Sequence, residues 1–397
     1  MRFRALAGVA AFVSLPALAS EGHLPHGHTH SRGEIDENHA PLLLQATYTG
    51  EVMSNVSGGI KRGSRYLDNL DIVAEADLEA IAGWKGASAH VYGLYNNGKS
   101  FSELAGDAQT ASNIETGVQA FRLYEAWIEQ KFAGGSLKVG LYDLNSEFDA
   151  LDASGLFIGS PHGIGTDFAQ TGENGPSIFP STSLAARIAI EPAAGWVVRA
   201  AVLDGVPGDP DRPKRTAVKL GNGDGALLVA EIEAPLPHGR LLFGGWSYTA
   251  RFDDHAGSSG RGNDGLYVRG ETALFEESGD PAQGLAAFAR LGIADGRFNT
   301  FGKFASAGIN YTGPFKGRDE DQIGFAVAAA FTGDAYKRAV PADDAEVAFE
   351  LTYRAPVASW LSLQPSAHYI INPGADPAVR NALAFGLRAE ISFNILG

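Results

Sequence analysis

Two sets of side chains in this sequence have the types and spacing to do chemistry. The first is EGHLPHGHTHSRGEIDENH, where His23, His26, His28 and His30 fall within eight residues and His39 follows. Imidazoles this dense suit Zn, Cu or Ni. Their irregular spacing fits no closed structural zinc site, so the reading is a polar tail with weak, incidental zinc affinity. The second set recurs at intervals of two. Asp71, Glu75, Asp77 and Glu79 form one acidic series, Glu125, Trp127 and Glu129 an acid-aromatic trio, Tyr267, Arg269 and Glu271 another, and Phe288 with Arg290 a smaller pair. Aromatic faces stack on the apolar face of a pyranose, while carboxylates and guanidiniums exchange hydrogen bonds with its hydroxyls. Each exchange with water is nearly neutral in free energy, which suits a surface that must bind and then release. No GxSxG, HExxH or P-loop occurs, and carboxylates spaced by the pleat of a strand need no glycosidase explanation. The Gly-rich GSSGRGNDG (257–265) does not open a helix after a buried strand and reads as an external loop.

The elements that must carry these residues have a period of two. In NLDIVAEADLEAI (69–81), Asn69, Asp71, Val73, Glu75, Asp77 and Glu79 share one parity, and Leu70, Ile72, Ala74, Ala76, Leu78 and Ala80 the other. Leu67, Leu70, Ala74, Leu78 and Ile81 also recur at helical spacing, and Ala, Glu and Leu favour helix. The rest of the chain decides for strand. About sixteen such segments recur from Leu44 to Phe393, including Ala87–Asn96, Arg122–Phe132, Leu184–Ile190, Leu266–Phe275 and Glu346–Arg354. In Arg122–Phe132, Tyr124, Ala126, Ile128 and Phe132 oppose Glu125, Trp127, Glu129 and Lys131. Long links (53–68, 97–117, 143–183, 204–225) alternate with short ones such as AGWKG, AGG, EPAAG and PLPHG. That alternation predicts an all-β, antiparallel up-and-down barrel with one elaborated rim. Two solvents impose the parity, hydrocarbon outside and channel water inside, and closure is compulsory because an unpaired edge in lipid is costly.

Bulk properties bound the class. Residues 1–19 have a basic start (Arg2, Arg4), a short apolar stretch and a small-residue Ala17-Leu18-Ala19 site, the layout of a secretory signal. The 397 residues carry a formal charge of −15, and loss of the two arginines takes it to −17, which disfavours nucleic acid. There is no cysteine, so neither disulfides nor thiolate chemistry is available. No apolar run after the signal approaches the roughly 20 residues of a membrane helix. Two classes remain: a soluble exported sugar-binding β-protein and an outer-membrane barrel. The organisation expected is a signal (1–19), a His-rich flexible periplasmic segment (20–41) and the barrel (42–393).

Within the barrel, Asp71, Glu75, Asp77, Glu125, Trp127 and Glu129 are expected on the lumen side, facing Arg187, Arg199, Arg269, Arg290, Arg354 and Arg388. Two readings stay open, a transverse field across the pore and mutual pairing of wall charges. Trp84, Trp196 and Trp360, near short turns, read as an interfacial girdle. The link 143–183, too long to be idle, is expected to fold inward and narrow the channel through Glu147, Asp149, Asp152, His162 and Asp167.

DLEAIAGWKGASAHVYGLYNNG (77–98), RLYEAWIEQKF (122–132), VGLYDLNSEFD (139–149), LFIGSPHGIG (156–165), GINYTGPFKGRDEDQIG (308–324) and LSLQPSAHYIINPG (361–374) resemble the carbohydrate-selective porins of the OprB type. The resemblance spans roughly residues 42 to 393. It implies a sixteen-stranded transmembrane barrel in the outer membrane of a Gram-negative bacterium that lets sugars diffuse inward without enzymatic chemistry or a cofactor. The partners it implies are small carbohydrates, outer-membrane lipid and lipopolysaccharide, and the barrel assembly machinery, with the chain a monomer or a homotrimer. The ending LAFGLRAEISF (383–393) alternates to an aromatic, as assembly signals do, but Asn394-Ile395-Leu396-Gly397 trails beyond it. A channel for zinc or a metal chelate, aided by the histidine tail, is the alternative cargo.

Overall fold

A computed structural model describes residues 40–221 and 223–396. The signal-like segment and His23, His26, His28 and His30 lie outside the described residues. The strands are β1 (Leu42–Gly59), β2 (Gly63–Asp77), β3 (Ala87–Asn96), β4 (Ala120–Phe132), β5 (Gly135–Tyr142), β6 (Ser183–Ala193), β7 (Trp196–Asp204), β8 (Ala226–Leu236), β9 (Gly239–Tyr248), β10 (Phe252–Asp253), β11 (Ser259–Gly260), β12 (Asp264–Glu277), β13 (Asp280–Ala294), β14 (Phe301–Thr312), β15 (Gln322–Thr332), β16 (Ala345–Ala358), β17 (Leu361–Ile371) and β18 (Arg380–Leu396). Sixteen of them close an antiparallel barrel in which each strand pairs with its sequence neighbours and β1 pairs with β18. β10 and β11 form a small separate hairpin between β9 and β12.

The alternation of side chains sets the two faces. On β1, Thr47, Thr49, Glu51, Met53 and Asn55 are buried inward while Val52 and Val56 are exposed outward. On β18, Ala382, Ala384 and Arg388 point inward, and Phe385, Leu387 and Phe393 form part of the exposed apolar belt. Trp84, Trp196 and Trp360 are exposed beside short turns, and Trp360 stacks near-parallel to Phe393.

Three expectations are corrected. The second strand ends at Asp77, not Ile81: the Asp77 carboxylate accepts from the N–H groups of Glu79 and Ala80 and caps a short helix, α1 (Leu78–Ala82). A capping acid followed by Leu-Glu-Ala favours that turn over continued strand. Asp77 therefore caps this helix at the short rim, on the same strand parity as Asp71 and Glu75. The expected long link at 53–68 is mostly strand, because β1 and β2 run on to a tight turn at 60–62, with Gly58 and Gly59 at φ of 64° and 63°. Their inward Met53 and Leu67 pack on Phe101, Leu104 and Ile114 of the next loop, which extends the hairpin. Finally, Tyr124 faces inward although its parity predicted lipid: β4 bulges opposite Tyr92/Gly93, so Tyr124 and Glu125 both turn into the barrel.

Apolar packing inside the barrel lies between the long loops and the wall. Leu144, Phe148, Ile164 and Phe168 pack on Leu203, Leu227, Val229, Trp246 and Tyr267. Leu151 and Phe157 pack on Leu242, Phe288 and Ala326. Residues 143–182 thus occupy part of the lumen.

Candidate functional site

The inner wall holds that loop through charge. Arg269 of β12 and Arg290 of β13 are direct cross-strand partners, and both are buried. Like charges opposite one another repel, so the pair needs an anion between them. Asp149 supplies it. Arg290 donates from Nε to both carboxylate oxygens (2.9 and 3.0 Å) and from Nη2 to Oδ2 (2.8 Å), and Arg269 Nη1 donates to Oδ1 (3.0 Å) and to the Asp149 carbonyl. Arg290 Nη1 also donates to Asp167 Oδ1 at 2.6 Å. Asp149 sits at φ 52°, a left-handed conformation that non-glycine residues hold only when their surroundings enforce it. Burial alone pushes the Asp149 carboxyl up, but the charges of Arg290 and Arg269 outweigh it and hold its pKa below the usual range. For Asp167 the balance goes the other way, and burial outweighs Arg290 to raise its pKa. A Cβ on Gly292 would come within 2.1 Å of an Asp167 oxygen, so only glycine admits the carboxylate there.

Carboxylates of the wall receive the loop's backbone. Glu231 Oε2 accepts from the Asp149 N–H (2.8 Å) and Tyr267 Oη (2.7 Å), and Glu271 from the Ala153 N–H (2.7 Å). Glu350 accepts from the N–H groups of Ile158 and Gly159 (2.7 and 2.8 Å), and His162 Nε2 lies 3.8 Å from it. The loop 97–119 enters in the same way: Glu346 accepts from the N–H groups of Ala108 and Gln109, and Ser112 Oγ donates to Glu51. Sequence reasoning singled out neither Glu231, Glu346 nor Glu350 as candidates. All three sit on the inward parity of their strands, and that was their available signal.

A second cluster gathers Glu129, Glu147, Arg187 and Lys138. Arg187 binds Glu129 (2.8 Å) and Glu147 (2.6 Å), and Lys138 Nζ donates to Glu147 at 2.6 Å. Burial raises the Glu147 pKa, yet Lys138 and Arg187 overcome it and lower the value to about 2. Arg199 with Glu231 and Glu233, and Arg240 with Asp152, Glu233 and Glu271, continue the row along the wall. Mutual pairing therefore absorbs most of the wall's guanidiniums.

The expected stacking platforms are occupied. Tyr267 and Phe288 are buried against Phe168 and Phe157 of the loop. Trp127 lies between its strand neighbours: His90 of β3 stacks on it at 4.7 Å with 5° between planes, and Lys138 of β5 sits 4.0 Å from the ring centroid. Its Nε1 donates to Glu125, which also accepts from the Asp143 N–H. Asp71 is buried and accepts from Tyr92 Oη and Asn69 Nδ2. Glu75, 3.3 Å from His90 Nδ1, keeps 46% of its side chain exposed, Asp152 75% and Glu147 20%. The water-reached inner face is thus richer in carboxylates than in guanidiniums. Among the described residues no cluster of three or more His, Asp and Glu is arranged to hold a metal.

Residues 61–393 match the model of the carbohydrate-selective porin, OprB family. The chain belongs to this family. It is 27% identical to Porin B of Pseudomonas aeruginosa over 87% of this chain and 86% of that protein. Among solved structures, Pseudomonas putida OprB at high pH superposes with a TM-score of 0.78 (24% identity, 89% of this chain and 94% of that one). The same protein at low pH gives 0.58 (21% identity, 89% and 93%), and a triple mutant of Rhodopseudomonas blastica porin 0.55 (12%, 89% and 100%). Membership makes this an OprB-family porin of the outer membrane, which passes carbohydrates by facilitated diffusion, and its closed sixteen-stranded barrel matches the fold of Pseudomonas putida OprB.

Proposed function

We propose that sugars pass between the inward-folded loop 143–182 and the wall carrying Glu75, Glu129 and Trp127, with the loop setting the narrowest cross-section. The observation that carries this reading is the double arginine clamp on Asp149, which fixes the loop to one side and leaves carboxylates on the water-reached side. Glu75, Glu129, Glu147 and Asp152 would exchange hydrogen bonds with sugar hydroxyls, and buried Asp71 would hold Tyr92 and Asn69 behind them. Arg187, Arg269 and Arg290 act by positioning the loop, since their charges are spent on its carboxylates. The passage needs no cofactor and no covalent step, and zinc held by His23, His26, His28 and His30 would be incidental to permeation. Each chain encloses its own channel, whether it stands alone or in a trimer in lipopolysaccharide-bearing membrane after delivery by the barrel assembly machinery.

Planar-bilayer conductance of the purified protein tests this, with glucose and then zinc titrated in. Graded block by glucose, unchanged by zinc, is expected. Block by zinc alone would overturn the sugar route in favour of metal cargo. Liposome swelling with sugars of increasing size then measures the cut-off the loop imposes.

A further inference from the structure

Of the six arginines expected on the lumen side, Arg187, Arg199, Arg269, Arg290 and Arg388 are bound to carboxylates. Arg354 of β16 is the exception. Among the described residues it forms no ion pair, and its side-chain hydrogen bond runs from Nη2 to Ser362 Oγ at 3.2 Å. Its position follows from the footprint of the inward-folded loop. Asn310 Nδ2 of β14 and Gln364 Nε2 of β17 donate to the Ala153 and Leu156 carbonyls (2.6 and 2.7 Å), and a Cβ on Gly324 of β15 would come within 2.8 Å of Leu156 and Phe157. One inward step closer to the short turns stand Thr312 and Gln322, and Gln322 is the direct cross-strand partner of Arg354. The link 313–321 is pinned beside them, because Asp321 accepts from Arg318 Nε (2.8 Å) and Tyr353 Oη. Arg354 therefore lies just below the loop, near the short-rim end of β16 at Ala358.

This row carries donors and acceptors that the chain leaves open. Arg354 and Gln322 are more than nine-tenths buried, and Arg354 Nε and Gln322 Oε1 have no partner among the described residues. Glu390 of β18 faces inward as the direct partner of Ser362 and is half-buried; among the described residues it forms no ion pair. A recessed guanidinium without an anion is costly, and strand register places it where the channel opens toward the short rim. An anionic ligand would meet Glu390, and a cationic one would meet Arg354. A neutral polyol meets neither penalty, because adjacent hydroxyls accept from a guanidinium and donate to a carboxylate or an amide oxygen. We infer that Gln322, Arg354, Ser362 and Glu390 form a second sugar subsite on the exit side of the constricting loop, taking neutral monosaccharides through vicinal hydroxyls. A solute released by the loop then finds one more weak site before open water, and a succession of weak sites permits both entry and release. The inference rests on the proposed sugar route and adds a site to it.

The test is glucose block of single-channel conductance with the full chain, read as the concentration for half block. Arg354→Gln should need about tenfold more glucose than wild type and Glu390→Gln about threefold more, as loss of a hydrogen bond to a charged group implies. Arg354→Lys keeps the charge without the planar fork and should resemble Arg354→Gln. Monodeoxyglucoses separate contact from field. At least one should block wild type about tenfold more weakly than glucose, and that difference should shrink to about twofold or less in Arg354→Gln, as coupled partners require. Heat-modifiable migration checks that each variant is folded, and the liposome-swelling cut-off should stay at the wild-type value because the loop keeps its own contacts. Wild-type block that neither Arg354→Gln nor Glu390→Gln weakens would overturn the subsite and leave the route along Glu75, Glu129 and Trp127 standing. Full rescue by Arg354→Lys, or deoxy-sugar differences that all persist in Arg354→Gln, would reduce Arg354 to a charge in the wall and overturn it equally. A cut-off that moves in Arg354→Gln would make the residue a support of the loop instead of a sugar contact. No glucose block in wild type would overturn the sugar route itself, and the subsite with it.

Discussion

Asp149 lies on Arg290 through three hydrogen bonds of 2.8 to 3.0 Å, and neither side chain exposes measurable surface beyond 1%. This contact joins a loop to the wall across 141 residues of sequence. It also neutralises a pair of arginines that strand register forces together.

Asp149→Asn removes the anion that Arg269 and Arg290 share and leaves Asp167 on Arg290 alone. Loss of one partner of a buried ion pair costs about 3–5 kcal/mol, enough to free the loop. Single-channel conductance should rise and the swelling cut-off should move to larger sugars, while the barrel remains heat-modifiable. Unchanged conductance would mean that the loop is held without the clamp.

Acid should release the same loop, and His162 gives the effect a defined window. Burial first, then the charges of His368 and Arg269, lower its pKa to about 3, and Glu350 and Asp107 border the same cavity. The folded form thus excludes a proton that the unfolded form takes up below about 6.5. Stability from this group is full above that value and falls as pH drops toward 3. Asp149 and Glu147, depressed in the fold, add losses only below the usual carboxylate range. Asp107, raised to about 6 by burial and Glu346, acts in the opposite sense. Comparing His162→Gln with wild type cancels the other groups: between pH 6.5 and 4.5 the variant should show a flatter rise in conductance and a flatter loss of thermal stability. Parallel curves would exclude His162 as the source.

Glu75→Gln with Asp152→Asn removes two exposed carboxylates from the inner face. Reversal potentials in a salt gradient should shift toward weaker cation selectivity, with stability unchanged within about 0.5 kcal/mol because neither side chain is buried. A reversal potential identical to wild type would place the ion path elsewhere.

Asp77→Ala separates the two roles considered for this residue. As a helix cap it should cost about 1 kcal/mol in unfolding and leave conductance and sugar block as they were. A change in sugar block without loss of stability would put Asp77 in the sugar's path instead.

The barrel was legible because its cause is local. Each strand must satisfy lipid on one side and water on the other, and that demand is written residue by residue in runs such as Leu383 to Phe393. The short turns between hairpins are equally local. The end of β2 was misplaced because the alternation continues past Asp77, while the capping bonds that stop the strand there depend on geometry that spacing alone does not fix. Tyr124 was misplaced because a bulge resets parity, and a bulge is a property of two strands.

The inward parity of Asp71, Glu75, Glu125, Glu129, Arg187, Arg269 and Arg290 followed from the sequence, because a strand's pleat assigns every second side chain to one solvent. Which of them meet which was decided only by the closed barrel. Strand register sets Arg269 against Arg290, and a loop returning through the lumen brings Asp149 to both. Long-range electrostatic complementarity of this kind has no period along the chain, so no local pattern could announce it.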